Sequence, residues 1–91
     1  MSVRVEFLGP LKQIVGGRDV IELEADTVAG IIENLNECYE GVSNRLLDPS
    51  GALLRHINIY VNEEDIRLKD QEQTALSSGS VVTVLSAIAG G

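Results

Sequence analysis

The period of the apolar residues changes along this chain from two, to helical, and back to two, and that succession constrains the fold more than any other feature. From Val3 to Leu8, Val3, Val5 and Phe7 alternate with Arg4 and Glu6, the mark of a half-buried strand. Gly9-Pro10 stops it, and Gly16-Gly17 is a second turn signal. From Asp19 to Glu24 the alternation returns, with Ile21 and Leu23 set against Glu22 and Glu24. These strands pair as a hairpin with a long, loosely defined connection. Asp26-Thr27 then offers side-chain oxygens to cap a helix start. Val28, Ile31, Ile32, Leu35 and Tyr39 follow on one helical face. Gly41 supplies the stop, and Val42 to Leu47 has room for one further helical turn.

Asp48-Pro49-Ser50-Gly51 reads as a loop. Ile57 to Asn62 is the clearest strand, with Ile57, Ile59 and Val61 facing one way. Asn62 to Asp65 reads as a turn, Ile66 to Leu68 as a short edge strand, and Thr74 to Gly79 as an irregular polar stretch. Ser80 to Leu85 is the last strand, with Val82 and Val84 on one face and Val81, Thr83 and Leu85 on the other. A hairpin, a crossing helix and then more strands give an α+β chain with a mixed four- to five-stranded sheet and one helix packed on one face. That is the β-grasp, or ubiquitin-like, arrangement. It predicts a domain over residues 1–86 and a flexible tail over 87–91, with Val28, Ile32 and Leu35 buried against Val5, Phe7, Ile59 and Val84.

Composition narrows what such a domain does. Aromatic residues are 3% of the chain, so the core is aliphatic and bases find no stacking platforms. The formal net charge is −7, which repels phosphate backbones and anionic lipid surfaces. Neither nucleic acid nor membrane is an expected partner. A single cysteine, Cys38, precludes an intramolecular disulfide. No apolar run spans a bilayer, and the N-terminus is a strand pattern rather than a signal peptide, so a cytoplasmic protein is expected.

The chain ends in Ala89-Gly90-Gly91. Glycine is about 7% of average composition, so a terminal pair arises by accident in roughly 0.5% of chains. A segment that leaves a central strand through small residues and two glycines suits a narrow channel where any Cβ would clash. Its one chemical group is the Gly91 carboxylate. Adenylation converts a carboxylate into a mixed anhydride that sulfide or a thiol attacks, giving a thiocarboxylate or a thioester. On this reading the chain is a co-substrate rather than an enzyme: it holds no cofactor or metal, and its partners do the catalysis. Leu85, Ile88, Ala89 and Tyr60 are the expected docking residues, an exposed apolar patch beside the tail.

The chain resembles the MoaD/ThiS/CysO family of ubiquitin-like sulfur carriers. The resemblance rests on Leu85-Ser86-Ala87-Ile88-Ala89-Gly90-Gly91, similar to the family's hydrophobic–Pro-Pro-Val-Ala-Gly-Gly ending, and on Arg55 to Asn62 with Asp65-Ile66-Arg67. With Asp48-Pro49-Ser50-Gly51 ahead of it, the second segment most resembles the CysO-like branch, which serves cysteine synthesis. Ser86 and Ala87 replace the usual prolines, which would have fixed φ at the tail's root, and a Ser-Ala form also resembles carriers for tRNA thiolation. The resemblance implies an adenylating partner of the ubiquitin-activating type that uses ATP and magnesium, with Gly91 as the reactive end and Gly90 beside it. In the CysO-like case the acceptor is an activated serine on a PLP-dependent cysteine synthase, and a zinc peptidase then clips off the new cysteine. In the MoaD case the chain is the small subunit docked on the large subunit of molybdopterin synthase, and in the ThiS case it feeds thiamine thiazole synthesis. A reading of another class is a modifier whose Gly91 is joined to lysines of other proteins.

The remaining polar residues carry simpler expectations. Glu33, Glu37 and Glu40 form a solvated helix face, Cys38 a small core hydrophobe, and His56 the start of a strand, with no metal cluster around it.

Overall fold

The computed structural model describes residues 2–86. Strand β1 (Ser2–Phe7) pairs antiparallel with β2 (Val20–Glu24), Val3 opposite Leu23 and Val5 opposite Ile21, which sends the apolar members of both to one face. Helix α1 (Val28–Cys38) crosses that face, followed by the short helix α2 (Val42–Leu46). β3 (Ile57–Val61) and the two-residue β4 (Glu64–Asp65) form a second hairpin. β5 (Val81–Ser86) enters between the hairpins, parallel to β1 and antiparallel to β3, for a sheet order of β2-β1-β5-β3-β4. The expected mixed sheet with a helix on one face is therefore present, with five strands.

The core is the expected one. Val28, Ile32 and Leu35 of α1 are buried in one cluster with Val5, Phe7, Ile59 and Val84. Thr27 caps α1, its hydroxyl accepting from Gly30 N at 3.1 Å. Alternation also holds in β3, where Ile57, Ile59 and Val61 are buried while Asn58 and Tyr60 are half-buried on the opposite face.

Four local readings change. The connection between β1 and β2 is a 3-10 helix over Gly9–Val15 that buries Leu11, Ile14 and Val15. Those apolar residues have helical spacing, but Gly9-Pro10 and Gly16-Gly17 on either side disguise it as a loop. Gly41 does not terminate α1. The helix ends at Cys38 with Tyr39 extended, and Gly41, at φ +80°, turns the chain into α2. Cys38 is exposed rather than core, because Tyr39 takes the place below Leu35 that continues the apolar stripe. The edge strand is Glu64–Asp65 rather than Ile66–Leu68. The latter is a 3-10 turn with Ile66 fully buried, and Asp65 Oδ1 accepts from Arg67 N at 2.8 Å.

That last shift has a conformational cause. Asn62 and Glu63 both have positive φ, +50° and +73°, and close the β3–β4 hairpin in two residues. Asparagine tolerates this region, but a glutamate Cβ is strained there. Glycine is the residue such a hairpin turn favours at its second position. Glu63→Gly is expected to stabilise the fold by about 0.5–1 kcal/mol, strain relief exceeding the entropy cost of glycine. A rise of several degrees in the thermal midpoint checks it.

Thr74 to Gly79 is irregular, as read, but it is not a solvent loop. Thr74 and Leu76 are buried, and the segment holds the start of α1 through Val28 N to Thr74 O at 3.2 Å and Leu76 N to Asp26 O at 2.8 Å. The Asp48 loop is closed by its own side chain. Asp48 Oδ1 accepts from Ser50 Oγ at 2.6 Å, Ser50 N at 2.9 Å and Ala52 N at 3.0 Å. The Ser50 hydroxyl bond, then the amide bonds, hold its carboxyl below the ordinary carboxylate value. A carboxyl lowered by folding stabilises above its unfolded value and loses that contribution as pH falls through the folded one. Asp48→Asn should thus lower the urea midpoint at neutral pH, and the gap to the parent should close below about pH 4.

Candidate functional site

The candidate site is the end of β5, where the chain passes from the sheet into residues 87–91. β5 is a central strand, as its predicted role requires: Val82 and Val84 are buried beneath it, and its neighbours are β1 on one side and β3 on the other. Gly91, Gly90, Ala89 and Ile88 lie outside the described residues. Leu85 and Tyr60 can be placed. In the β3–β5 register Leu85 is opposite Asn58 and Tyr60 is opposite Thr83. Leu85 and Tyr60 are therefore diagonal neighbours on the sheet face away from α1, roughly 7–8 Å apart at Cα. Both are half-buried rather than fully exposed.

Leu8 joins them, a residue that sequence reasoning passed over. It follows Phe7, whose register partner is Val84, and its N donates to Val84 O at 3.0 Å. Alternation after the buried Phe7 turns Leu8 to the outer face, where it is 48% exposed. Leu8, Leu85 and Tyr60 thus form a row across β1, β5 and β3 at the end of the sheet from which the C-terminal segment continues. The signal was present in the sequence, since Leu8 is the out-of-phase leucine of the first alternating run. Arg4 and Glu6 sit farther back on the same face, 3.7 Å apart, a surface pair that contributes little to stability.

The β3 side of this end is held by Arg67. Its Nη1 donates to Asn58 Oδ1 at 2.8 Å, and its Nη2 donates to Ile57 O at 2.6 Å and to Leu54 O at 3.0 Å. Asn58 and Ile57 are the register partners of Leu85 and Ser86. His56 precedes β3, half-buried, and Arg55 is exposed.

The other features stand apart from this end. An open groove of about 330 Å³ runs between α1 and the Gln71–Gln73 turn, lined by Ala29, Ile32, Leu47 and the carboxylates of Glu33 and Glu72. A shallower one includes Glu22, Glu24, Asn34 and Cys38 near the start of β1. Neither includes Tyr60 or Leu85. Glu33, Glu37 and Glu40 are exposed on α1 and just beyond it. Among the described residues no group of three or more His, Cys, Asp or Glu side chains is placed to hold a metal ion. Among them, too, no helix is long and apolar enough to cross a membrane.

The comparisons agree with this geometry. Residues 5–91 match the ThiS family model. The sulfur carrier protein CysO of Mycobacterium tuberculosis is 42% identical over 93 aligned residues, the whole of both chains. Its crystal structure aligns with a TM-score of 0.87 at 40% identity, covering 94% of this chain and 99% of that one. The CysO of Amycolatopsis orientalis, solved in a complex with BexX, aligns with a TM-score of 0.88 at 34% identity, covering 98% and 99%. Small archaeal modifier protein 3 of Haloferax volcanii is 28% identical over the whole of both chains. A β-grasp sheet whose central strand runs into a Gly-Gly end, matched over residues 5–91, places this chain in the ThiS family.

Proposed function

We propose that this protein is a sulfur carrier, a co-substrate whose Gly91 carboxylate is activated and loaded with sulfur by partner enzymes. The observation that carries the reading is the coincidence of two facts. The Ala-Gly-Gly end continues from the central strand β5, and full-length similarity is to a protein named as a sulfur carrier. A partner of the ubiquitin-activating type joins the carboxylate to the α-phosphate of magnesium-bound ATP, releasing pyrophosphate. Sulfide then attacks the acyl carbon, AMP leaves, and a thiocarboxylate remains. Docking falls to the row of Leu8, Tyr60 and Leu85 together with Ile88 and Ala89. That a CysO of the same fold forms a complex with BexX supports the idea that such a chain works while bound to another protein.

The similarity to CysO supports cysteine synthesis as the destination of the sulfur. The thiocarboxylate sulfur would take the place of the activated oxygen on a serine held by a PLP-dependent cysteine synthase, the oxygen leaving with its activating group. The Gly91 acyl group would then shift from sulfur to the cysteine amine, and a zinc peptidase would hydrolyse that amide to release the cysteine. A second reading is favoured by the full-length similarity to an archaeal modifier protein: attack on the activated Gly91 by a lysine amine would give an isopeptide conjugate. One experiment separates the two. The protein is incubated with an adenylating partner, ATP, magnesium and a sulfur donor, and its intact mass is recorded. Exchange of one oxygen for sulfur supports the carrier. Lysine conjugates without that exchange support the modifier, and an unchanged mass with an active partner overturns both.

A further inference from the structure

β5 is not gripped equally along its length. The β1–β5 register ends at the Phe7–Val84 pair, whereas the β3–β5 register continues to Ile57–Ser86. The last two residues of β5, Leu85 and Ser86, thus have their register partners on β3. Asn62 N donates to Val81 O at 2.8 Å. Bonded pairs recur every second residue of an antiparallel ladder, so Asn58–Leu85 is one of them. No proline occurs after Pro49, so nothing covalent fixes φ where the chain leaves β5. How firmly the start of β3 is held is then one determinant of its direction there.

The start of β3 is tied to the preceding turn by Ile57 N donating to Leu54 O at 3.0 Å, and one side chain spans both. The Arg67 guanidinium bonds the side chain of Asn58, the carbonyl of Ile57 and the carbonyl of Leu54 in the preceding turn. Its own backbone is fixed by Asp65 Oδ1, and Asp65 pairs with Tyr60. A planar fork meets three acceptors at once, which an ammonium group on a flexible stem does not reproduce.

We infer that Arg67 is a positioning residue for the Gly91 chemistry. Its guanidinium pins Ile57 and Asn58, these pin Leu85 and Ser86, and the orientation of the C-terminal segment on a partner follows. This rests on the proposed carrier function for its catalytic consequence only. The structural half stands without it.

The test uses the full chain with Arg67→Lys and Arg67→Ala, and Asn58→Ala as a milder variant that removes one acceptor. Amide hydrogen exchange is read at Asn58 and Leu85 and, as an internal control, at Val3, Val5 and Val82. The Arg67 variants should raise exchange at Asn58 and Leu85 by about tenfold over any change at the control amides, because charge-assisted bonds near the surface act at the low end of their range. Lysine should fail to rescue, and Asn58→Ala should show a smaller effect of the same pattern. With the adenylating partner, kcat for activation should fall by about tenfold and by more than affinity for the partner does, since misdirection slows the reacting step while Leu8 and Tyr60 of the docking row keep their places. Equal exchange at all amides, full rescue by lysine, or unaltered kcat in a chain with loosened Leu85 would overturn the inference. If the parent chain is not activated at all, the carrier function fails, and the exchange pattern alone decides the role of Arg67.

Discussion

Deleting Gly91 is expected to abolish sulfur loading while leaving the thermal midpoint unchanged. The two halves of that result have separate physical causes. A chain ending at Gly90 still has a carboxylate, but about 3.3–3.6 Å short of the position a partner expects. A misplacement of about 1 Å at a reacting centre already costs on the order of a hundredfold in rate, so a whole residue should bring loading below detection. The fold does not register the loss. The described sheet ends at Ser86, whose register partner is Ile57, and Gly91 lies five residues beyond it. Removing one residue that far beyond the last strand is expected to change stability by about 0.5 kcal/mol or less. Intact mass after incubation with the adenylating partner, ATP and a sulfur donor gives the first half, and a thermal melt gives the second. Loading of the shortened chain at the parent's rate would mean that loading does not depend on the Gly91 carboxylate.

Much of this molecule was legible in its sequence because long-range burial and local pattern agree. Val3, Val5 and Phe7 alternate because one face of β1 covers the core, and Val28, Ile32 and Leu35 recur at helical spacing for the same reason. The pattern failed where two apolar residues two apart do not share a face. Ile66 and Leu68 look like a strand, yet Ile66 is fully buried and Leu68 is 86% exposed, because the positive φ of Asn62 and Glu63 closes the hairpin early and sends the chain into a 3-10 turn. The Gly9–Val15 helix was hidden by the glycines and proline that bound it. At the candidate site the reactive end and the central strand were readable. Leu8 was not singled out, and Arg67 was read only as part of the Asp65-Ile66-Arg67 resemblance, since the importance of each depends on what lies across the sheet. Leu8 matters because β5 runs beside β1, and Arg67 because a turn brings it back over the start of β3.

Phe7→Ala is expected to have the largest effect on stability of any single change considered. Phe7 is the chain's one phenylalanine, 1% exposed, at the end of β1 where its register partner on β5 is Val84. Truncating a buried phenylalanine to alanine costs about 3–5 kcal/mol, the transfer loss plus the cavity left behind. Small domains have a margin of only about 0.05–0.15 kcal/mol per residue, so the variant would lose from about a quarter of it to all of it. The denaturant midpoint should fall steeply with the slope preserved, and the thermal midpoint should drop by at least ~12 °C. Phe7→Leu, which keeps the site apolar and leaves a smaller void, should lose markedly less. The functional readout separates this variant from the Gly91 deletion. Phe7→Ala retains Gly91, so whatever fraction stays folded should still be loaded, and loading should recover on moving to a temperature well below its midpoint. Partner binding favours the folded form and should add to that recovery by mass action. The shortened chain, folded throughout, should be silent at every temperature. If Phe7→Ala were instead folded and silent, the core beneath Val84 would have to control the exit of the C-terminal segment directly, and the division between a stable sheet and a reactive end would fail.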